Sequence, residues 1–344
     1  MYHSFHIYKE ERKEITLMEL SQINKGWTIS MGENIVQVHH PLGQGGTCDI
    51  YYGSFNNKES AIKILRPKQK YKSKEKYQLT KAHIYSESLI LQNLTHPNIV
   101  SLLNPSCKGK LIDNKGNIES RHFFLLEYLE GGELISYTQT GVFTEDELKF
   151  YGLQILEGLV YLHSKGWAHC DIKPDNIVLT KDLALAKLID FGFCSSFINH
   201  SELQEKGTVE YLSPEINARI PCDLSKADVF ALGVTFFGLL TGHFPCFKAC
   251  RRFDPFYRLL YEGRYREFWR KMNRKNVLSK ECKTLLQDML HPNENKRPSM
   301  EELKTYPWFT IEKVNEKKVI EGMNVRKIKM QCINNQSAGI SHNN

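Results

Sequence analysis

No Cys-x-x-Cys pair occurs among the nine cysteines of this chain. Cys246 and Cys250 stand four apart with His243 nearby, but no second ligand pair at comparable spacing follows, which argues against a zinc site. A chain of 344 residues needs no disulfides to hold a core, so scattered thiols read as reduced and place the protein in the cytoplasm or the nucleus. Long apolar runs are also missing. The longest, Val229 to Leu240, is too short to cross a bilayer and reads as a fully buried helix, so no membrane contact is expected. The opening stretch MYHSFHIYKEERKE has no apolar centre of a signal peptide. Internal repeats and low-complexity tracts are absent. There is no large charge excess: 46 basic against 39 acidic residues give +7, a solvated surface with some taste for phosphates, and no nucleic-acid partner is expected.

What is present is ordinary in bulk, 41% hydrophobic and 25% charged, enough for one large domain or two coupled lobes. Residues 1–33 are polar and carry no motif, so they read as an extension. From Val36 to Gly53 the pattern alternates around a glycine cluster, giving two strands and a tight loop, and SAIKIL is a third strand. Helical spacing through Ile84, Leu91 and Leu94 follows and stops before Pro97. Two apolar segments, NIVSLL and HFFLLEYL, flank a polar hairpin loop around Asp113 and Gly116. The rest is helical: Thr144 with Glu147, and Ser299 with Glu302, are capping boxes.

The glycine loop reads Leu42-Gly43-Gln44-Gly45-Gly46-Thr47-Cys48, and small residues let backbone N–H groups approach phosphate oxygens. A strand follows it, where a dinucleotide-binding fold would open a helix, and the Gly-Lys-Ser/Thr of a Walker loop is lacking. An ordinary hairpin turn stays open on this motif alone. Lys63 shares a strand face with Ala61 between two isoleucines, where a lysine is costly to bury unless paired. Glu87 on the next helix is its candidate partner. The most specific segment is His169-Cys170-Asp171-Ile172-Lys173-Pro174-Asp175-Asn176, followed by Asp190-Phe191-Gly192. It supplies a carboxylate to accept a hydroxyl proton, an amine to neutralise a phosphoryl group, and an amide and a second carboxylate to ligate a metal.

With these motifs in this order, the chain resembles the eukaryotic protein kinase superfamily from about Val36 to Phe309. The resemblance implies an α+β fold: a bilobal kinase with a small antiparallel-sheet N-lobe (34–128) bearing one key helix, a larger mainly helical C-lobe (129–310) and a basic polar tail (311–344). It implies ATP and Mg2+ as cofactors and proteins as substrates. By resemblance Leu42, Gly43, Gln44, Gly45, Gly46 and Ile50 cover the nucleotide, and Ala61, Leu126, Glu127, Leu129 and Val178 line its base. Glu133 lies near the ribose. Lys63, paired with Glu87, contacts the α- and β-phosphates. Asp171 is the catalytic base, Lys173 its neighbour on the phosphoryl group, and Asn176 and Asp190 hold magnesium. Glu215 would pair with Arg297, and Asp228 would brace the catalytic loop. Lys173-Pro174 and Thr208 look like the serine/threonine branch, of the calcium/calmodulin-dependent or cAMP-dependent type. Glu133 and Asp175 imply a preference for basic residues upstream of the phosphorylated site.

Two departures stand out. Cys48 replaces the third glycine of the loop, and Cys170 replaces the arginine that usually precedes the catalytic aspartate. The second removes a cation that captures an activation-segment phosphate, so Ser195, Ser196 and Ser201, with Lys206 as the one cation between Asp190 and Glu215, are expected to matter little to activity. A scaffold that binds nucleotide without turnover is the rival reading, opposed by the presence of Lys63, Glu87, Asp171, Asn176 and Asp190 together. The tail reads first as disordered. Its alternative is a basic amphipathic helix over Val314 to Ile333, with Lys317, Lys318, Arg326, Lys327 and Lys329 interleaved with Val319, Ile320, Met323, Val325, Ile328 and Met330, that binds calmodulin or another regulatory partner, or folds back.

Overall fold

A computed structural model describes residues 26–44, 48–197, 207–250, 252–272 and 278–340. They divide into two compact units.

The first unit contains the described residues up to Leu129 together with Asp190–Gly192. Six antiparallel strands, β1 (Trp27–Met31), β2 (Asn34–Gln44), β3 (Cys48–Phe55), β4 (Lys58–Leu65), β5 (Leu102–Ile112) and β6 (Ile118–Glu127), close into a barrel in the order β1-β2-β3-β4-β6-β5. Alternating residues point inward: Ile29, Val36, Val38, Ile62, Ile64, Leu111, Phe123 and Leu125 are one buried cluster. The β3–β4 turn is Asn56-Asn57, both with positive φ (50° and 59°), the conformation a two-residue hairpin needs and asparagine tolerates. Asp113 closes the β5–β6 loop by accepting from the backbone N–H groups of Lys115 and Asn117. Helix α1 (Lys74–Gln92) starts on Ser73, whose hydroxyl accepts from Lys76 N.

The expectation that residues 1–33 stand outside the fold is corrected here. Trp27–Met31 pairs with β2 on one side and with Lys110–Ile112 on the other, and Ile29 is fully buried. Its alternation, Trp27-Thr28-Ile29-Ser30-Met31, is one strand long and sits beside a polar stretch, which hides it in a composition scan.

The second unit holds Glu130–Ile189 and the described residues from Phe193 onward, so the boundary falls one residue later than the motifs suggest. Short strands β7 (Gly132–Glu133), β9 (Ile177–Leu179) and β10 (Ala186–Leu188) form one sheet, and β8 (Trp167–Ala168) pairs with β11 (Ser195–Ser196). The helices are α2 (Glu145–Ser164), α3 (Pro214–Asn217), α4 (Leu224–Thr241), α5 (Pro255–Tyr261), α6 (Tyr265–Met272), α7 (Lys280–Met289), α8 (Met300–Leu303), α9 (Pro307–Thr310) and α10 (Glu316–Ile340). Both expected capping boxes form, at Thr144–Glu147 and Ser299–Glu302. Helix α4 is apolar on all sides and buried from Asp228 to Leu240.

The tail is the second correction. Residues 316–340 form the longest described helix, and its apolar side is not free: Val319 and Met323 are buried. Arg326 anchors it, donating to Glu147 on α2, to Thr140 Oγ1 and to the carbonyls of Gly141 and Val142, with its guanidinium 5.3 Å from the Phe143 ring. Gly322 and the asparagines lower helix propensity, but tertiary contacts on one face override it.

Candidate active site

In the first unit, strand register gathers the residues read as a nucleotide wall. Gly43 lies opposite Ile50, Ile50 opposite Lys63, and Lys63 opposite Phe124. One pleat period away, Ala61 lies opposite Leu126. Ile50, Ala61, Lys63 and Leu126 therefore share a face by the two-residue period of a strand. Leu42 is exposed and Leu126 buried. Gly45 and Gly46 lie outside the described residues, and Gln44 ends β2. Glu127 is tied to Ser101, whose N–H donates to its carboxylate at 2.7 Å and whose carbonyl accepts from its backbone N–H. Leu129 is half-buried at the end of the unit.

Lys63 is the charged centre of this unit. Its Nζ donates to both carboxylate oxygens of Glu87 at 2.8 and 2.7 Å, and to Asp190 Oδ1 at 2.9 Å. Burial by itself would lower the lysine pKa, but the adjoining carboxylates of Asp190 and Glu87 outweigh it and hold the value above the ordinary lysine range. The lysine is therefore a fixed cation at neutral pH. Asp190 keeps a 40% exposed side chain and sits at φ 60°, a backbone state that a non-glycine residue adopts at a cost of about 1–3 kcal/mol and that clusters at functional sites.

In the second unit, the catalytic-loop residues converge on Asp171, which is 4% exposed. Lys173 Nζ donates to Asp171 Oδ2 at 2.8 Å and to Thr208 Oγ1 at 2.8 Å. Thr208 in turn donates its N–H to Asp171 Oδ1 at 3.2 Å. Asn176 Nδ2 donates to the carbonyl and the carboxylate of Asp171 at 2.8 and 2.9 Å. The amide nitrogen is thus engaged, and the amide oxygen is the atom left for a cation. Oxygen donors of this kind, an amide on Asn176 and a carboxylate on Asp190, are the ligand types magnesium prefers.

The loop is held from beneath by Asp228. Its two oxygens accept from His169 N at 2.8 Å and Cys170 N at 2.9 Å, and the second contact fixes Cys170 at φ 63°. His163 Nε2 reaches the same carboxylate at 2.9 Å. Nothing in the sequence marks His163, because its partner lies 65 positions away. Glu215 and Arg297 form the expected bidentate pair at 2.6 and 2.9 Å, with the arginine side chain fully buried. Glu133 pairs across the sheet with Val178, so these two expected nucleotide neighbours are adjacent. Glu133 and Asp175 are both exposed. Thr208, read only as a branch marker, turns out to bridge the lysine and the aspartate. Ser195 and Ser196 are strand residues of β11, and Ser201 and Lys206 lie outside the described residues.

Comparison with known proteins agrees with this geometry. The family described as "protein kinase domain" matches residues 36–309. A CBL-interacting protein kinase 26 of Oryza sativa subsp. japonica is 30% identical over 79% of this chain and 52% of its own length. CBL-interacting serine/threonine-protein kinase 12 of Arabidopsis thaliana is 30% identical over 78% of this chain and 51% of its own. Maternal embryonic leucine zipper kinase of Xenopus tropicalis is 29% identical over 79% and 39%. The chain spans about half the length of the curated relatives it matches.

Proposed function

This chain belongs to the protein kinase family, and we propose that it transfers the γ-phosphoryl group of Mg-ATP to serine and threonine hydroxyls of proteins. The observation that carries the proposal is the arrangement around Asp171: a buried carboxylate bonded to Lys173, Asn176 and Thr208 on the loop motif of the family. The roles follow the general protein-kinase scheme. Asp171 orients the acceptor hydroxyl and takes its proton. Lys173 sets a positive charge beside that carboxylate, where it can offset the charge of the phosphoryl group. Lys63, kept protonated by Glu87 and Asp190, binds the non-transferred phosphates. Asn176 and Asp190 would hold magnesium, which when bound neutralises phosphate charge. In the transfer the bond from the γ-phosphorus to the bridging oxygen breaks, the bond to the acceptor oxygen forms, and ADP leaves.

Exposed carboxylates at Glu133 and Asp175 support a preference for arginine or lysine upstream of the acceptor, through charge-assisted hydrogen bonds to guanidinium. A calmodulin-type partner would have to draw α10 away from Arg326's anchors, because Met323 is already buried. The test uses the full chain, radiolabelled ATP and a degenerate peptide array with serine, threonine or tyrosine as acceptor. Incorporation into serine and threonine peptides with basic upstream positions, lost in Asp171→Asn, is expected. No incorporation above the Asp171→Asn background would leave the nucleotide-binding scaffold as the reading. Acidic or proline-directed selection would remove the roles given to Glu133 and Asp175.

A further inference from the structure

A cleft of about 110 Å³ opens within the first unit between the end of β4, the start of α1 and β6. That is several times the roughly 10–15 Å³ one water needs. Arg66, Lys68, Arg121 and His122 line it together with one carboxylate, Glu119, which is paired with Arg121, and the Tyr77 ring. None of these residues takes part in the phosphotransfer chemistry described above.

Two properties point to an anion. Arg121 is the first. Its side chain is 12% exposed, yet among the described residues it makes only two hydrogen bonds, Nη1 to Leu65 O at 3.3 Å and Nη2 to Glu119 at 2.6 Å. Its Nε is buried and has no partner. A guanidinium has five N–H donors, and leaving a buried one unused is unfavourable. The second property is the chain beside the cleft. Residues 66–76 carry Arg66, Lys68, Lys70, Lys72, Lys74 and Lys76 against a single carboxylate, Glu75. Arg66 is held by Asp49, but the five lysines are exposed and form no ion pair among the described residues.

We propose that this cleft binds a phosphate monoester carried on a protein, a phosphorylated serine or threonine, with Arg121 and Lys68 as its main donors. A dianion with three acceptor oxygens matches a forked guanidinium flanked by ammonium groups. The recess has room for one phosphate group, and the Tyr77 ring in its lining can meet a neighbouring peptide side chain. The lysines that follow extend the attraction to acidic residues along the same peptide. A recess of this kind suits a protruding side chain better than a flat bilayer surface. The proposal stands apart from the phosphotransfer reading, because the site would bind without ATP.

The test immobilises the full chain, without nucleotide, and offers two degenerate peptide libraries centred on phosphoserine or on serine. The phosphoserine library should be retained about tenfold more, the factor expected of one good charge-assisted contact. Lys68→Glu, at an exposed position that leaves the fold and the phosphotransfer rate unchanged, should remove most of that difference, and Arg121→Gln should remove it as well. Equal retention of both libraries, or a difference that survives Lys68→Glu, overturns the proposal even if kinase activity is normal. Displacement by inorganic phosphate as readily as by phosphopeptide would reassign the site to the free ion. Stronger capture by vesicles of phosphatidylserine and a phosphoinositide, lost in the same variants, would reassign it to a membrane. Either of these also overturns it.

Discussion

Arg326 on the tail helix forks onto Glu147 on α2, with Nε 2.9 Å from one carboxylate oxygen and Nη2 2.9 Å from the other. The same glutamate accepts from Thr144 N to complete the capping box of α2. One carboxylate therefore ties the start of a helix to a segment 179 positions later. Both side chains are nearly buried, so the pair is shielded from water and salt. Arg326→Ala should lower unfolding free energy by about 2–4 kcal/mol, since it leaves Glu147 with only the Thr144 N–H and takes a donor from two carbonyls. Arg326→Lys should recover little, because an ammonium cannot fork. Urea denaturation of the three proteins measures this, and equal midpoints would show that α10 is not docked in solution.

Lys63→Met should leave the fold intact and cut kcat by about a hundredfold or more, as expected for loss of a fixed charge on the reacting group. The pH behaviour follows from the direction of its shift. A lysine whose folded pKa is raised contributes stability that is fully present below the ordinary lysine value and is lost only as pH rises through the higher folded value. Glu87, whose carboxyl burial pushes up to about 7 even beside the lysine, loses that cation in Lys63→Met and rises further, so the difference in thermal midpoint between wild type and variant should widen between about pH 6 and 9. A difference that vanishes within that range would mean the lysine deprotonates there.

Asp171→Asn should lower kcat by about a hundred- to ten-thousand-fold, the usual contribution of a positioned base. Asparagine can still accept from Lys173 and Thr208, so ATP affinity by calorimetry should change little. Thr208→Ala should have a smaller effect on kcat, because Lys173 keeps its contact with Asp171. If Thr208→Ala costs as much as Asp171→Asn, the threonine has a larger share in holding the carboxylate than its hydrogen bonds suggest.

The grouping of these side chains was legible because the residues are close in sequence and chemically unusual. Asp171, Lys173 and Asn176 span six positions, and Lys63 declares itself as a lysine among isoleucines. The α+β division was legible for a related reason: strand and helix periods change sides near Leu129. What stayed hidden depends on partners far along the chain. Trp27–Met31 is a strand because β2 and β5 accept it, and α10 is an ordered helix because Glu147 and the carbonyls before α2 receive Arg326. Local propensity describes the isolated segment, whereas here the second partner decides. The same limit hid the Asp228–His163 contact and the cleft beside Arg121.

Gly207 offers a test of how tightly the catalytic loop and the segment before α3 are fitted. It has φ 101°, and a Cβ there would lie 2.8 Å from the Cys170 carbonyl oxygen and 3.4 Å from Asp171 Oδ1. Cys170 cannot easily give way, since its own φ is 63° and Asp228 holds its N–H. Gly207→Ala must therefore displace the neighbouring Thr208, which bonds both Asp171 and Lys173. Gly263 serves as the control: it has φ 68°, but a Cβ there meets nothing within 4 Å. Both substitutions carry the left-handed backbone cost of about 1 kcal/mol, and Gly207→Ala adds the clash with the Cys170 carbonyl, so its loss in urea midpoint should be the larger of the two. Only Gly207→Ala should also lose activity, by about tenfold in kcat, equivalent to about 1.4 kcal/mol in the barrier. Equal activity in the two variants would mean that Thr208 does not hold the aspartate during turnover.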